Sequence, residues 1–190
     1  MRILVTGAAG FVGYAVAALL IEQGHQVTGL TRCPASLLPT GVQRLDDDLR
    51  TPDTLPPALA EWDGVCHLAG LTKVRESRTA PLDYWRTNVG GTLALLDRLA
   101  SARTARIVLA STCTVYGEQA TPISETAPIA PSSPYATSKL AADHAAADLT
   151  ATGAKCGRSP ARAPRPRHDP AHTENPGRPT GPGIGTSRKR

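Results

Sequence analysis

The chain has 190 residues, which is enough for one domain and a tail. Its net charge is +5, but residues 1–150 carry 12 Lys and Arg against 14 Asp and Glu, whereas residues 151–190 carry 9 against 2. The balances are −2 and +7, so the basic character belongs to the tail. The charge therefore excludes a nucleic-acid face on the first part of the chain, and we expect no specific nucleic-acid partner.

Strand-like and helix-like patterns alternate from the start of the chain. The segment "RILVTG" is a short β-branched apolar run, typical of a buried parallel strand. Apolar residues at helical spacing in "FVGYAVAALLIEQG" predict a helix that ends at Gly24 as its C-cap. A second strand, "HQVTGLT", a short strand and turn, "VQRLDDDL", and a weak helix, "TPDTLPPALAEW", follow.

The same alternation continues to about residue 152. "DGVCHLAG" predicts a strand that enters a loop, "LDYWRTNVGGTLALLDRLASA" a long helix, and "ARIVLASTCTVYG" another buried strand. A Pro-rich loop, 118–134, leads into a helix at 135–151. Strands that alternate with helices predict an α/β fold with a doubly wound parallel sheet over residues 1–152.

Residues 153–190 have a different composition. Between residues 158 and 190 there are seven prolines and seven arginines, and Ile184 is the only large aliphatic residue. Such a segment buries too little apolar surface to offset its ordering entropy. We expect a disordered basic tail.

Three glycines in "TGAAGFVG" follow the first strand and open the first helix. Gly7 allows a tight turn, Gly10 lets a phosphate approach the backbone, and Gly13 lets the helix pack against the strand. The helix N-terminus, with Phe11 and Val12, offers N–H groups and a partial positive charge to a pyrophosphate. The pattern predicts a dinucleotide site, and the alternative is a tight turn without a ligand.

The end of the second strand bears on the choice of dinucleotide. A carboxylate at this place would accept hydrogen bonds from the ribose of NAD, but the sequence has Thr31 and Arg32. Arg32 favours NADP over NAD because it pairs with a 2′-phosphate, and the alternative is a solvated arginine. Asp48, followed by Leu49, is the candidate contact for the adenine amino group.

Five motifs in this order carry a resemblance to a known family. They are the glycine pattern, "CHLAG", "TNVGGTLALLD", "LASTCTVYGE" and "SPYATSK". Together they resemble the extended short-chain dehydrogenase/reductases, and within them the NAD-dependent epimerase/dehydratase family, which acts on nucleotide sugars. The resemblance covers residues 1 to about 152 and implies a Rossmann fold, a nucleotide-sugar substrate, and NADP or NAD as cofactor.

The resemblance also implies roles for individual residues. Tyr135 corresponds to the catalytic acid/base, Lys139 to the lysine beside the nicotinamide ribose, and Thr112 to the catalytic serine or threonine. Asn88 matches a helix asparagine that supports the site. His67, Leu68, Ala69 and Gly70 match the loop along the cofactor.

The residues themselves agree with these implied roles. The i,i+4 spacing places Tyr135 and Lys139 on one helix face, where the ammonium would stabilise a phenolate. The alternative is ordinary helix packing for Tyr135 and a solvated Lys139. Related 4,6-dehydratases carry an acidic pair after the catalytic threonine, whereas this chain has Cys113 and Thr114. We therefore expect an epimerase or a dehydrogenase/reductase.

The chain departs from the family after the Tyr–Lys helix. Relatives continue into a further strand and a substrate-binding region, so we expect a truncated domain whose substrate domain is missing and whose activity is impaired. A reading-frame shift or a native basic tail would each give this composition. The alternative function is a non-catalytic NAD(P)-binding or interaction protein with a basic tail. By resemblance, a homodimer would form through a helix bundle that includes residues 83–101 and 135–151.

The remaining sequence features bear on the cellular compartment and on metal binding. The four cysteines, Cys33, Cys66, Cys113 and Cys156, are widely spaced, which fits free thiols in a reducing cytosol. Glycines interrupt the apolar start, and no segment approaches the roughly 18 apolar residues of a membrane span. The histidines show no metal-ligand spacing. We expect a cytoplasmic protein with no metal site.

Overall fold

The structure is a computed structural model, and it describes residues 1–35, 37–51, 62–100, 106–120, 122–151 and 156–159. The six strands within these ranges are β1 (Arg2–Thr6), β2 (Gln26–Thr31), β3 (Gln43–Asp46), β4 (Gly64–His67), β5 (Arg106–Ala110) and β6 (Cys156–Ser159). They form one sheet in the order β3-β2-β1-β4-β5-β6, and every neighbouring pair is parallel. This is the strand order of the doubly wound Rossmann fold, so the predicted fold class is confirmed.

Five α-helices accompany the sheet in the described part of the chain. They are α1 (Phe11–Glu22), α2 (Val74–Thr79), α3 (Pro81–Tyr84), α4 (Gly91–Ala100) and α5 (Pro134–Ala151). A π-helical turn, Trp85–Gly90, joins α3 to α4, and a 3₁₀ turn, Cys113–Tyr116, follows β5. None of the described helices is long and apolar enough to cross a membrane.

Two apolar clusters lie on opposite faces of the sheet. One contains Leu4 of β1, Leu95 and Leu99 of α4, and Ala142 and Ala146 of α5. The other contains Val5 of β1, Val27 of β2 and Ala17 of α1. Because β1 is covered on both faces, its three central side chains, Ile3, Leu4 and Val5, are apolar without alternation. Each buried leucine contributes about 1.5–3 kcal/mol to stability.

The first helix ends in a Schellman motif. Gln23 is the C-cap and Gly24 lies one residue further, with a φ of +78°. The Gly24 N–H donates to the Ile21 carbonyl at 2.9 Å, and the His25 N–H donates to the Leu20 carbonyl at 3.0 Å. The predicted stop near Gly24 is therefore correct, although Gly24 follows the cap residue instead of forming it.

The predicted long helix at 82–102 contains a wide turn. The Gly91 N–H donates to the carbonyl of Arg86, five residues earlier, which inserts one extra residue into the helix. The Thr92 hydroxyl, at the start of α4, donates to the carbonyl of Asn88 in this turn at 2.6 Å. The hydrophobic pattern predicts the helical run but not the π turn, since that depends on polar contacts with other elements. The short helix α2 was not predicted either.

The strand β6 corrects the prediction for the tail. Cys156–Ser159 pairs with Ile107–Ala110 of β5, so the sheet continues beyond the predicted boundary at residue 152. The prediction of disorder is therefore wrong for these four residues. Their sequence, "CGRS", has no strand-like apolar pattern, and the pairing comes from the open edge of β5. The rest of the predicted tail and most of the weak helix at 51–62 lie outside the described residues.

Candidate functional site

The predicted functional residues gather at the carboxyl edge of the sheet. Parallel strands end there together, so the segments after β1, β2, β3, β4 and β5 become neighbours. A cavity of about 430 Å³ lies at this edge. Eight of the residues predicted for the cofactor line it: Gly7, Gly10, Arg32, Asp48, Leu49, Leu68, Ala69 and Gly70.

The turn after β1 has room for a backbone but not for a side chain. Gly7 has a φ of +67°, and a Cβ added to it would lie 2.8 Å from the backbone nitrogen of Ala69. A Cβ on Gly13 would lie 2.1 Å from the Gly7 carbonyl oxygen. The glycines therefore bring the turn, the loop after β4 and the start of α1 into direct contact.

The start of α1 is open toward the cavity. Gly10 is its N-cap, no side chain among the described residues caps it, and its first turn contains no acidic residue. Phe11 is 97% exposed and Val12 is also exposed. The helix therefore presents its partial positive charge to whatever enters the cavity, which fits a pyrophosphate.

The cavity wall after β3 carries an ion pair. Arg50 donates from Nε and Nη2 to both carboxylate oxygens of Asp48, with a shortest distance of 2.6 Å. The hydrogen bonds from Arg50, with a smaller contribution from the charge of Arg32, hold the pKa of Asp48 below its usual value. Asp48 is thus an anionic acceptor at the cavity wall, whereas Asp47 accepts from the Asp48 N–H as a turn residue.

A buried histidine connects the loop after β4 to the helices. His67 is 2% exposed, with Nδ1 2.7 Å from Thr6 Oγ1 and Nε2 2.9 Å from Thr92 Oγ1. Thr92 already donates to the Asn88 carbonyl, so it accepts from Nε2–H, and Thr6 donates to the bare Nδ1. Thr6 Oγ1 also accepts from the backbone N–H groups of Leu68 and Ala69.

This network requires a neutral imidazole. Burial, with a smaller contribution from the charge of Lys139, lowers the pKa of His67 to about 3. The sequence identified His67 only as part of the cofactor loop. The structure adds that its ring joins the ends of β1 and β4 to the start of α4.

Asn88 joins the same loop to the Tyr–Lys helix. Its Oδ1 accepts from the Leu71 N–H at 2.8 Å, and its Nδ2 donates to the Leu71 carbonyl and to Ser138 Oγ, both at 3.0 Å. Ser138 in turn donates to the Tyr135 carbonyl at 2.8 Å. Asn88 does not line the cavity. In this structure it forms hydrogen bonds with both the loop after β4 and α5 and so holds these two elements together.

The first turn of α5 fixes the position of Tyr135. Ser133 caps the helix, since its Oγ accepts from the Ala136 N–H at 3.1 Å, and Pro134 occupies the first helical position. Tyr135 is 9% exposed, and its ring meets that of Tyr84 edge-to-face, with centroids 6.2 Å apart. Tyr84 is itself held by a 2.6 Å hydrogen bond from its hydroxyl to the Lys73 carbonyl.

Lys139 lies one turn after Tyr135 and is 7% exposed. Burial lowers its pKa, and the carboxylate of Asp143, one turn further along α5, opposes this shift. Asp143 is 8% exposed and accepts a short hydrogen bond from the Ser111 hydroxyl. Sequence reasoning missed Asp143, although its i,i+4 spacing from Lys139 is a detectable signal.

The two hydroxyls after β5 differ in their surroundings. Ser111 donates to Asp143, whereas Thr112 Oγ1 accepts from the Thr114 N–H at 3.3 Å and lies 3.0 Å from Thr114 Oγ1. Thr112 and the Tyr–Lys pair do not line the cavity of Gly7 and Asp48. Among the described residues, no three His, Cys, Asp or Glu side chains are close enough to hold a metal ion, and Cys33, Cys66 and Cys113 are free thiols.

The strand order, the glycine turn and the buried Tyr–Lys helix define a Rossmann-type domain of the short-chain dehydrogenase/reductase class. The sequence profile of the NAD dependent epimerase/dehydratase family matches residues 3–161. The chain belongs to this family.

Relatives with known names agree with this assignment. The chain is 41% identical over 150 residues to a UDP-glucose 4-epimerase of Streptomyces lividans, a match that covers 75% of this chain and 46% of the relative. A UDP-glucose 4-epimerase of Corynebacterium glutamicum is 36% identical over 151 residues, or 76% of this chain and 45% of the relative. The chain thus spans somewhat less than half the length of these relatives.

Solved structures resemble the chain over the same part. MoeE5 in complex with UDP-glucose and NAD has a TM-score of 0.75 and 36% identity, covering 84% of this chain and 53% of that one. The UDP-glucose 4-epimerase of Thermus thermophilus in complex with NAD has a TM-score of 0.77 and 32% identity, covering 83% and 54%.

Gly7 lies close to the backbone of Ala69, so we predict that a methyl group added at Gly7 destabilises the fold. Gly7→Ala would combine a left-handed φ with a steric clash, whereas Gly24→Ala has a similar φ of +78° and nothing within 4 Å. We expect Gly24→Ala to lower the free energy of unfolding by about 1–2 kcal/mol and Gly7→Ala by clearly more. Urea denaturation followed by circular dichroism measures both, and equal losses would contradict the close approach.

The neutral His67 predicts a loss of stability in acid. Below about pH 6.5 the unfolded chain binds a proton at this histidine and the folded chain does not, until the pH approaches about 3. The free energy of unfolding should therefore fall by up to about 1.4 kcal/mol for each pH unit below 6.5. Urea denaturation at pH 7, 6 and 5 measures this slope.

A variant without the ionisable ring serves as the control. His67→Gln should lose less stability between pH 7 and pH 5 than the wild-type chain does. Imidazole ¹⁵N shifts should show the neutral Nε2–H tautomer at pH 5, and a protonated ring at that pH would refute the network.

Proposed function

We propose that this chain carries the cofactor-binding half of a nucleotide-sugar epimerase or dehydrogenase/reductase that uses a nicotinamide dinucleotide. The single observation that carries the proposal is the Tyr135–Lys139 pair on a capped, largely buried helix turn, which Asn88 joins to the loop after β4. The relatives named as UDP-glucose 4-epimerases support the nucleotide-sugar substrate.

The cavity fits the dinucleotide by three features of this chain. The turn at Gly7 has no space for a side chain, α1 opens with an uncapped N-terminus among the described residues, and Asp48 offers a carboxylate at the far wall. Gly7, Gly10 and Gly13 would admit the pyrophosphate, with Phe11 and Val12 at the helix start. Leu49, Leu68 and Ala69 would contact the apolar parts.

The chain's own residues then supply the proton chemistry. Tyr135, as the phenolate, would take the proton of a sugar hydroxyl and become a neutral phenol. The positive charge of Lys139 would stabilise the phenolate before this transfer. Thr112 would donate a hydrogen bond to the same sugar oxygen, because Ser111 is engaged by Asp143. Asn88 would keep the loop after β4 and the start of α5 in register. When bound, the nicotinamide ring supplies the acceptor for the hydride that leaves the sugar carbon.

For assembly, we propose a homodimer through the helices of residues 83–101 and 135–151. Apolar side chains are exposed along the first of these helices and next to it: Leu82, Trp85 and Leu93. Such side chains favour burial against a second apolar surface. They support the proposal without identifying the partner surface.

Removing the phenolic hydroxyl tests the proposed chemistry. With UDP-glucose or UDP-galactose and NAD or NADP, Tyr135→Phe should lower turnover by about 10²–10⁴-fold, while dinucleotide affinity stays within about threefold. Tyr116→Phe is the matched control, since its hydroxyl donates to the Glu125 carbonyl outside the proposed site. Coupled absorbance assays measure turnover, and calorimetry measures binding.

The wild-type result decides between the two functions that the sequence leaves open. Turnover that Tyr135→Phe abolishes supports the enzyme. Dinucleotide binding without turnover on any nucleotide sugar would favour a non-catalytic NAD(P)-binding protein instead.

The choice of cofactor depends on Arg32, which is exposed at the cavity wall after β2. Similar structures contain NAD, whereas an arginine at this place favours a 2′-phosphate. Losing a charge-assisted hydrogen bond costs about 1.5–3 kcal/mol, so Arg32→Ala should weaken NADP binding by about 10-fold or more and leave NAD binding nearly unchanged. Calorimetry measures both affinities.

A matched control separates a direct contact from a change in overall charge. Arg75→Ala on α2 removes another exposed arginine and should change neither affinity. Equal effects of Arg32→Ala on NAD and NADP would contradict the proposed role.

A further inference from the structure

Lys139 places a cation inside the domain, and the structure shows what surrounds it. Its side chain is 7% exposed and lies in the middle of α5, which packs against the π turn and against α2, α3 and α4. A buried ammonium without an anionic partner loses its charge or destabilises the fold. A site that needs a charged lysine therefore also needs a carboxylate beside it.

Among the described residues, the charged side chains on the neighbouring helices do not provide a buried partner. Six of these charged side chains are exposed to solvent, namely Arg75, Glu76, Arg78, Asp83, Arg86 and Asp97. His67 at the end of β4 faces Lys139 as a neutral ring, since both burial and Lys139 oppose its protonation. Tyr135, one turn earlier on α5, is the group that Lys139 is proposed to serve.

Asp143 has the position and the burial that this partner requires. It lies one helical turn after Lys139 on the same face of α5 and is 8% exposed. Its Oδ2 accepts a hydrogen bond from the Ser111 hydroxyl, so the carboxylate is tied to the segment after β5. Ser111 directly precedes Thr112, and this contact therefore joins the Thr112 segment to the Tyr–Lys helix.

We propose that Asp143 is a positioning residue, namely the anionic partner that keeps the Lys139 ammonium in its buried place, and that Ser111 holds the carboxylate from the end of β5. This proposal rests on the proposed function, because it concerns the residue that is to stabilise the Tyr135 phenolate. In this proposal the two hydroxyls after β5 have different partners. Ser111 donates to Asp143, and Thr112 donates to the substrate.

The charge state of Lys139 can be measured without turnover. The chain has only four lysines, Lys73, Lys139, Lys155 and Lys189, so ¹³C-lysine labelling of the full chain gives few side-chain resonances. Lys139→Arg assigns the resonance of interest. The pH at which the Lys139 ¹³Cε shift reaches its midpoint reports whether a carboxylate is close.

Four variants distinguish a specific effect of Asp143 on the Lys139 midpoint from a general effect of charge on the helix. Asp143→Asn should move the Lys139 midpoint down by about one pH unit or more, and Asp143→Glu should restore most of it. Asp148→Asn, which removes an exposed carboxylate from the same helix, should leave it within about 0.2 of a unit. Ser111→Ala should move it in the same direction as Asp143→Asn but by less.

The outcomes separate this proposal from the proposed function. An unchanged or raised midpoint in Asp143→Asn, or an equal shift in Asp148→Asn, overturns it. If Asp143→Asn does not fold, an unchanged midpoint in Ser111→Ala overturns it as well. A lowered midpoint together with absent turnover in the wild-type chain would uphold the charge pairing while rejecting the enzyme function.

Discussion

The Thr6–His67–Thr92 hydrogen bonds are the contact on which the rest of the site depends. They lie inside the domain, where each hydroxyl has a single O–H to donate and no solvent replaces a lost partner. Since Thr92 donates to the Asn88 carbonyl, the direction of every other hydrogen bond in the chain of groups is fixed. The carboxyl ends of β1 and β4 and the π turn are therefore held in one arrangement.

The polar contacts at this edge form two branches that meet at α5. One branch runs from His67 through Asn88 to Ser138 and the first turn of α5. The other runs from Ser111 after β5 to Asp143 in the next part of the same helix. The first attachment point, Ser138, lies within the Tyr–Lys segment and the second lies one turn after Lys139, so the place of this segment relative to the loop after β4 is set by polar contacts as well as by apolar packing.

The sequence predicts those parts of the fold that are determined by neighbouring residues in the chain. Periodic apolar residues and the turn at Gly24 identify β1, α1 and α5, and the alternation of elements predicts the doubly wound sheet. The parts it does not predict depend on distant partners. The strand β6 forms because β5 has an open edge, and the π turn accompanies polar contacts of Asn88 and Thr92 with other elements. The three glycines predict the phosphate-binding turn. The spacing of Asp143 from Lys139 is present in the sequence, but its contact with Ser111 is seen only in the fold.

The π turn between α3 and α4 also determines where this helical region can lose a residue. Its extra residue means that a single deletion within Trp85–Gly90 could convert the turn to regular α-helix without rotating the segments on either side. Leu95 and Leu99 would keep their faces toward the core, whereas a deletion elsewhere in the helix would turn them by about 100°. Such a deletion would spare the apolar core, and its cost would lie in the contacts that Asn88 makes with the loop after β4 and with α5.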